Sequence, residues 1–211
     1  LSKVVAIEAL TLDGVMQSMG RPDEDRRGGF EYGGWAMGRG DAVMQKVLGA
    51  HMSGPWSLLL GRITYEIFAD YWPKQPPNPM SEKMNTVEKF VASTTLTEPL
   101  AWQNAILLHG DAPDAVARLK KEHPKKLVIF GSGVLVQSLM RRNLIDEYVL
   151  QIHPLVLGTG LRLFRDGSPL TNFTLVDSVT TGTGVVIATY RPVPDSATGG
   201  TRPNEMNMPG A

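Results

Sequence analysis

The strongest constraint on the fold of this chain is a short apolar run that ends abruptly on two glycines. Leu127-Val128-Ile129-Phe130 is β-prone and strand-length, and Gly131-Ser132-Gly133 stops it at once. Beyond the turn, Leu135 and Leu139 recur at helical spacing, and Arg141 and Arg142 fall where a helix C-terminus favours cations. Ile145 to Ile152 then reads as another strand. A helix that starts directly after a glycine turn points unpaired N–H groups and a positive dipole end at whatever lies above the strand. Gly131, Ser132, Gly133 and Val134 therefore read either as a pyrophosphate cradle or as a tight connection between a buried strand and a packed helix.

The same alternation runs through the chain. Val4 to Leu10 is a nearly continuous apolar run, which predicts a central strand, and Asp13-Gly14 ends it with turn chemistry. Gln17 to Gly34 is rich in charge and glycine. It reads as a long mobile loop anchored by Phe30, Tyr32 and Trp35, either closing over a ligand or forming a solvated excursion. Asp41 to Met52 has helical periodicity, and Trp56 to Leu60 is a second strand running into Gly61-Arg62-Ile63-Thr64-Tyr65-Glu66. Arg62 and Thr64 sit where backbone amides and a guanidinium jointly bind phosphate, or where a strand-to-helix turn carries a surface arginine. Tyr71 to Pro79 is a proline-rich loop, followed by a short helix over Ser81 to Val87.

Further strands are expected at Lys89 to Ser93 and Ala105 to Leu108, then a helix from Asp111 to Glu122 with Val116 and Leu119 facing the sheet. Lys120, Lys121, Lys125 and Lys126 read as its solvated end. Phe173 to Val179 and Val185 to Tyr190, joined by Thr181-Gly182-Thr183-Gly184, form an antiparallel hairpin at one edge of a mixed, mostly parallel α/β sheet. One domain over 1–191 is expected, with a disordered polar tail over 192–211.

Charge and composition narrow the ligand. The 21 basic and 21 acidic residues of the 211 cancel, so no global field recruits nucleic acid or an anionic membrane, and a small molecule is the expected partner. The absence of cysteine excludes disulfides, thiolate catalysis and cysteine-ligated metals, and no metal site is expected. With no membrane-length apolar run and no signal-like start, the expectation is a cytoplasmic protein.

Asp13, Arg62, Ser93 and Gly131 to Gly133 all follow strands, on the rim where sheets of this kind bind ligands. Leu12-Asp13-Gly14, Gly61 to Glu66, Val91-Ala92-Ser93, Phe130 to Gly133 and Pro154 to Gly160 occur in this order. Over about Lys3 to Arg191 the chain resembles the dihydrofolate reductase-like superfamily, and within it the RibD C-terminal domain (riboflavin-biosynthesis reductase) family. The resemblance implies a dihydrofolate reductase-like fold, NADPH as cofactor and a homodimer. It gives Gly61, Arg62 and Thr64 to the cofactor phosphates, Ser93 and Thr94 to the adenosine end and Gly131 to Leu135 to the pyrophosphate, and it sets Ala6 and Gly14 close to the nicotinamide.

The chain departs from true dihydrofolate reductases in offering only Asp41 in the region of the pteridine-binding carboxylate, which disfavours folate as substrate. It also lacks the cysteine-bearing deaminase half of many riboflavin-pathway enzymes, which leaves a stand-alone reductase. The reading is hydride transfer from NADPH to a small polar heterocycle or carbonyl compound. Asp13, Glu66 or an ordered water would supply the proton, and Phe30, Tyr32, Trp35 and Asp13 would meet the substrate. His153, alone before a proline, reads as structural or as a second proton source. The alternative is a binding protein that retains the NADP(H) fold without turnover.

Overall fold

The computed structural model describes residues 1–194. Eight strands form one sheet in the order β4-β3-β2-β5-β1-β6-β8-β7. The strands are β1 (Val4–Thr11), β2 (Trp56–Gly61), β3 (Lys89–Ala92), β4 (Ala105–Leu108), β5 (Lys126–Phe130), β6 (Glu147–His153), β7 (Phe173–Thr180) and β8 (Val186–Pro192). The helices are α1 (Ala42–His51), α2 (Arg62–Tyr71), α3 (Pro79–Thr86), α4 (Ala112–Glu122) and α5 (Gly133–Met140). All pairings from β4 to β6 are parallel, whereas β8 pairs antiparallel with both β6 and β7. The fold is that of the dihydrofolate reductase-like proteins, with the expected C-terminal hairpin at the sheet edge.

Parallel strands buried on both faces need apolar side chains on both. β1 meets this by sending Val4, Ala6 and Leu10 into one core with α4 and α5, and Val5 and Ile7 into a second core on the opposite face. Register places Ile7 beside Phe130 of β5 and Val149 of β6, so β1 is the axis of the molecule. Glu8 is an exception in this run, a carboxylate on an otherwise apolar face.

Several boundaries differ from expectation for local reasons. Asn78 caps α3, with its side chain accepting from Met80 and Ser81 N–H groups, so the helix begins at Pro79, two residues early. β8 runs through Pro192, beyond the expected domain end, and the remainder of the tail over 195–211 lies outside the described residues. Lys120 does not sit at a solvated helix end. It is buried, donating to Leu144 O at 2.9 Å and to Asp146 Oδ2 at 2.5 Å, and ties α4 to the approach to β6. Among the described residues no helix is long and apolar enough to cross a membrane.

Beyond the end of β1, Ala9, Val15, Phe30 and Trp35 form a third, smaller core. His153, at the end of β6, stands edge-on to Trp35 with ring centroids 5.2 Å apart. Only 1% of it is exposed, and neither ring nitrogen has a partner among the described residues. Burial, aided by the Arg39 charge, pushes its pKa down to about 4.

Candidate functional site

The carboxyl ends of the parallel strands open into a cavity of about 760 Å³, inside the range of roughly 300–1,000 Å³ that small-molecule sites occupy. Two helix starts meet at its wall. After β5, Gly131 and Ser132 both take left-handed backbone conformations, and α5 begins at the next residue. A left-handed serine costs about 1–2 kcal/mol. Here it is held by two hydrogen bonds, each contributing about 0.5–1.5 kcal/mol. Ser132 Oγ accepts from Gly61 N at 2.9 Å, and Ser132 N donates to Thr64 Oγ1 at 2.9 Å. The α5 turn and the α2 start are thus one joint.

That joint leaves backbone donors for a ligand. The first bond back from α5 runs from Val136 N to Ser132 O at 3.0 Å, so the N–H groups of Gly133, Val134 and Leu135 have no acceptor in the helix. All three residues line the cavity, with Gly61, Arg62 and Thr64 beside them and Ser93 and Thr94 farther along the rim. Glycine is favoured at 131, where φ is +60° and an added Cβ would touch Thr64 Oγ1 at 3.4 Å.

Other expected site residues are elsewhere. Ala6 is buried within the sheet, and Gly14 lies in the turn after β1. Ile7, Glu8 and Ala9 form the β1 part of the cavity wall instead. Glu66 is exposed outside the cavity and bonds Arg62 Nη1 at 3.0 and 3.1 Å, which holds the guanidinium at the rim.

Asp13 does not line the cavity either. Its carboxylate accepts from Thr11 Oγ1 at 2.6 Å, Gly158 N at 2.8 Å and Leu157 N at 3.2 Å, and lies 3.4 Å from Arg162 Nη2. The Thr11 bond first, then the loop amides, draw its pKa down to about 2. An acid that strong has no proton to give at neutral pH, so Asp13 is a clamp between two loops.

Phe30 and Trp35 are likewise absent from the cavity wall. They fill the third core at 4% and 9% exposure, and Trp35 Nε1 donates to Gln17 O at 2.7 Å. Tyr32 is exposed with its ring on the edge of Phe30. The polar part of their loop faces the cavity instead, through Gln17, Ser18, Asp25 and Arg27. Gln17 holds this loop by donating to Asp25 O and Arg27 O, and it accepts from Leu161 N at 3.0 Å.

A site residue that the strand pattern concealed is Glu8. It lines the cavity, is 1% exposed, and its Oε1 has no partner among the described residues. Burial raises its pKa well above the carboxylate range, opposed by the Gly131 backbone N–H. Gln151 of β6 reaches the same cavity from the neighbouring strand, and Gln137 of α5 from the helix above. A lone acid in an otherwise apolar central strand is a sequence signal for such a residue.

Comparison with known proteins bears on this arrangement. The model of the RibD C-terminal domain matches residues 2–187. The chain belongs to the RibD C-terminal domain family. The chain is 32% identical over 139 residues to the uncharacterized protein YyaP of Bacillus subtilis, covering 64% of this chain and 72% of that one. It is 31% identical over 118 residues to YwjB of the same organism, covering 56% and 62%.

Among solved structures, a putative riboflavin biosynthesis protein from Shewanella superimposes with TM-score 0.69 at 24% identity, covering 91% of this chain and 99% of that one. A pyrimidine reductase-like protein from Corynebacterium diphtheriae gives 0.63 at 13%, covering 92% and 93%. Dihydrofolate reductase from Enterococcus faecalis, complexed with NADP(H), gives 0.57 at 14%, covering 91% and 97%. For this member of the family, the structural likenesses establish the fold.

Proposed function

We propose that this chain is an NADPH-dependent reductase acting on a small, polar, unsaturated substrate, a heterocycle or a carbonyl compound. The observation that carries the reading is the joint at Ser132, which turns two helix starts toward one cavity with free backbone donors and a guanidinium on its rim. The residues fit a dinucleotide. Gly131 leaves open the space that a side chain would fill beside Thr64, and Gly133, Val134 and Leu135 offer N–H groups to a pyrophosphate. Arg62 and Thr64 would hold a further phosphate, Ser93 and Thr94 the adenosine end, and the Ile7 to Ala9 segment the nicotinamide. The NADP(H) of the Enterococcus faecalis reductase, a protein of the same fold, supports this choice of cofactor.

When bound, a reduced nicotinamide supplies the hydride. The chain supplies position and a dry wall: Ile7, Ala9 and Phe130 present apolar surface to the reacting end, and the Gln17 to Arg27 segment covers the approach. Titration with NADPH and NADH, followed by nicotinamide fluorescence and calorimetry, tests the reading. Tighter binding of NADPH is expected, with its oxidation when pterins, pyrimidines or small carbonyl compounds are added. Binding of neither nucleotide overturns the proposal, and binding without oxidation by any acceptor makes the chain a binder.

A further inference from the structure

Glu8 stands in the central strand of the sheet, on a face whose other residues, Val4, Ala6 and Leu10, belong to the apolar core. Leaving a polar group without a hydrogen bond in such a place costs several kcal/mol, on the order of 2–7. A leucine would fill the position without that cost. The structure compensates the carboxyl only in part: the Gly131 backbone N–H bonds it, but Oε1 has no partner among the described residues.

The charged groups around the same cavity are arranged toward other partners. Arg62 is bonded to Glu66, Arg27 to Asp25, and Arg162 to the Asp13 carbonyl at 2.8 Å. Glu24 accepts from the Gly20 and Arg21 amides, and Asp111 caps α4. Arg165 is exposed on the rim. A buried carboxyl with a free oxygen in the wall of a ligand-sized cavity awaits a partner from outside the chain.

We propose that Glu8 is the proton donor to the nitrogen or oxygen of a C=N or C=O bond reduced in this cavity. The inference rests on the reductase reading and adds the substrate class, a polarised double bond whose heteroatom reaches the β1 floor. Its carbon accepts the hydride of the dihydronicotinamide, and its heteroatom accepts the Glu8 proton. The π bond breaks while a C–H bond and an N–H or O–H bond form. The substrate gains two electrons as the nicotinamide is oxidised, and Glu8, left as a carboxylate, regains a proton from water at the cavity mouth. Burial favours the acid form, the one a donor requires.

Infrared difference spectra of the wild type and Glu8→Gln, with and without NADPH, test the protonation state independently of turnover. A protonated-carboxyl C=O band at pH 7 that is missing from Glu8→Gln is expected, and a Glu8 ionised at pH 7 overturns the proposal. The probes for turnover are a pterin, 1-pyrroline and a simple aldehyde. With whichever of these oxidises NADPH, Glu8→Gln should slow the step roughly 10²–10⁴-fold, the range for general acid catalysis, a larger change than any in NADPH affinity. Equal rates in the two proteins overturn the role of Glu8, whereas failure of the wild type to bind NADPH overturns the reductase reading instead.

Discussion

As pH rises from 4.5 toward 6.5, two buried groups act on the folding stability of this protein in opposite directions. His153 has a folded pKa of about 4 against 6.5 for the free side chain. Its contribution is complete above pH 6.5 and is lost as pH falls, because the unfolded chain takes a proton that the folded one refuses. At about 1.4 kcal/mol per pH unit, the full window from 6.5 to about 4 amounts to a stabilisation on the order of 3 kcal/mol. Glu8 has a pKa raised well above 4.5. Above that value the unfolded chain gives up a proton that the folded chain keeps, so stability falls as pH rises, with the same slope.

In the shared window the two effects oppose each other, and the wild type should be flatter than either variant. His153→Phe keeps a ring against Trp35 and removes the titrating nitrogens. Its stability should decline as pH rises above 4.5. Glu8→Gln should show the reverse, gaining stability as pH rises toward 6.5 at up to about 1.4 kcal/mol per unit. Urea unfolding followed by tryptophan fluorescence at half-unit steps of pH measures all three profiles. Flat profiles in both variants would refute the claim that either group is held neutral by burial. Asp13, with its pKa down at about 2, loses its contribution only as pH falls below 3.8, outside this window.

The remaining predictions concern the rim and its loops. Arg62→Ala should weaken NADPH binding by about 1.5–3 kcal/mol, the value of a charge-assisted hydrogen bond, and unchanged affinity by calorimetry would remove Arg62 from the phosphate site. Gly131→Val places a branched side chain at φ +60° against Thr64, and should reduce NADPH affinity more than roughly tenfold; wild-type affinity would remove the turn from the cofactor site. Asp13→Asn discards a charge that holds two amides of the Leu157-Gly158 turn, and should cost about 1.5–3 kcal/mol of stability in urea while leaving NADPH affinity intact. Lost turnover with full stability would return Asp13 to the chemistry.

Strand-turn-helix order was legible because glycine punctuation and apolar period are local signals. Both helix starts at the cavity rim could be read from Gly61 to Glu66 and from Phe130 to Gly133. The acid of the site was not legible in the same way. Asp13 sits at a strand end and looks available, but its partners Leu157 and Gly158 are more than 140 residues away in the chain. Glu8 was absorbed into an apolar run, because which face of β1 borders the cavity depends on how Gly131 and α5 cross it. Phe30 and Trp35 read as ligand-facing because nothing local reveals that Ala9, Val15 and His153 would enclose them.

Ser132 has a consequence beyond holding a turn. Because its hydroxyl and amide tie Gly61 and Thr64 to the α5 start, the spacing between the α2 and α5 starts is fixed in the folded chain. The joint is a caliper. A ligand bearing anionic groups at that separation would engage both starts with little ordering left to do, whereas a single phosphate would gain from one start only. Under the proposed reading, selection for a dinucleotide lies in a span of backbone, and the side chains of the rim are left to distinguish one dinucleotide from another.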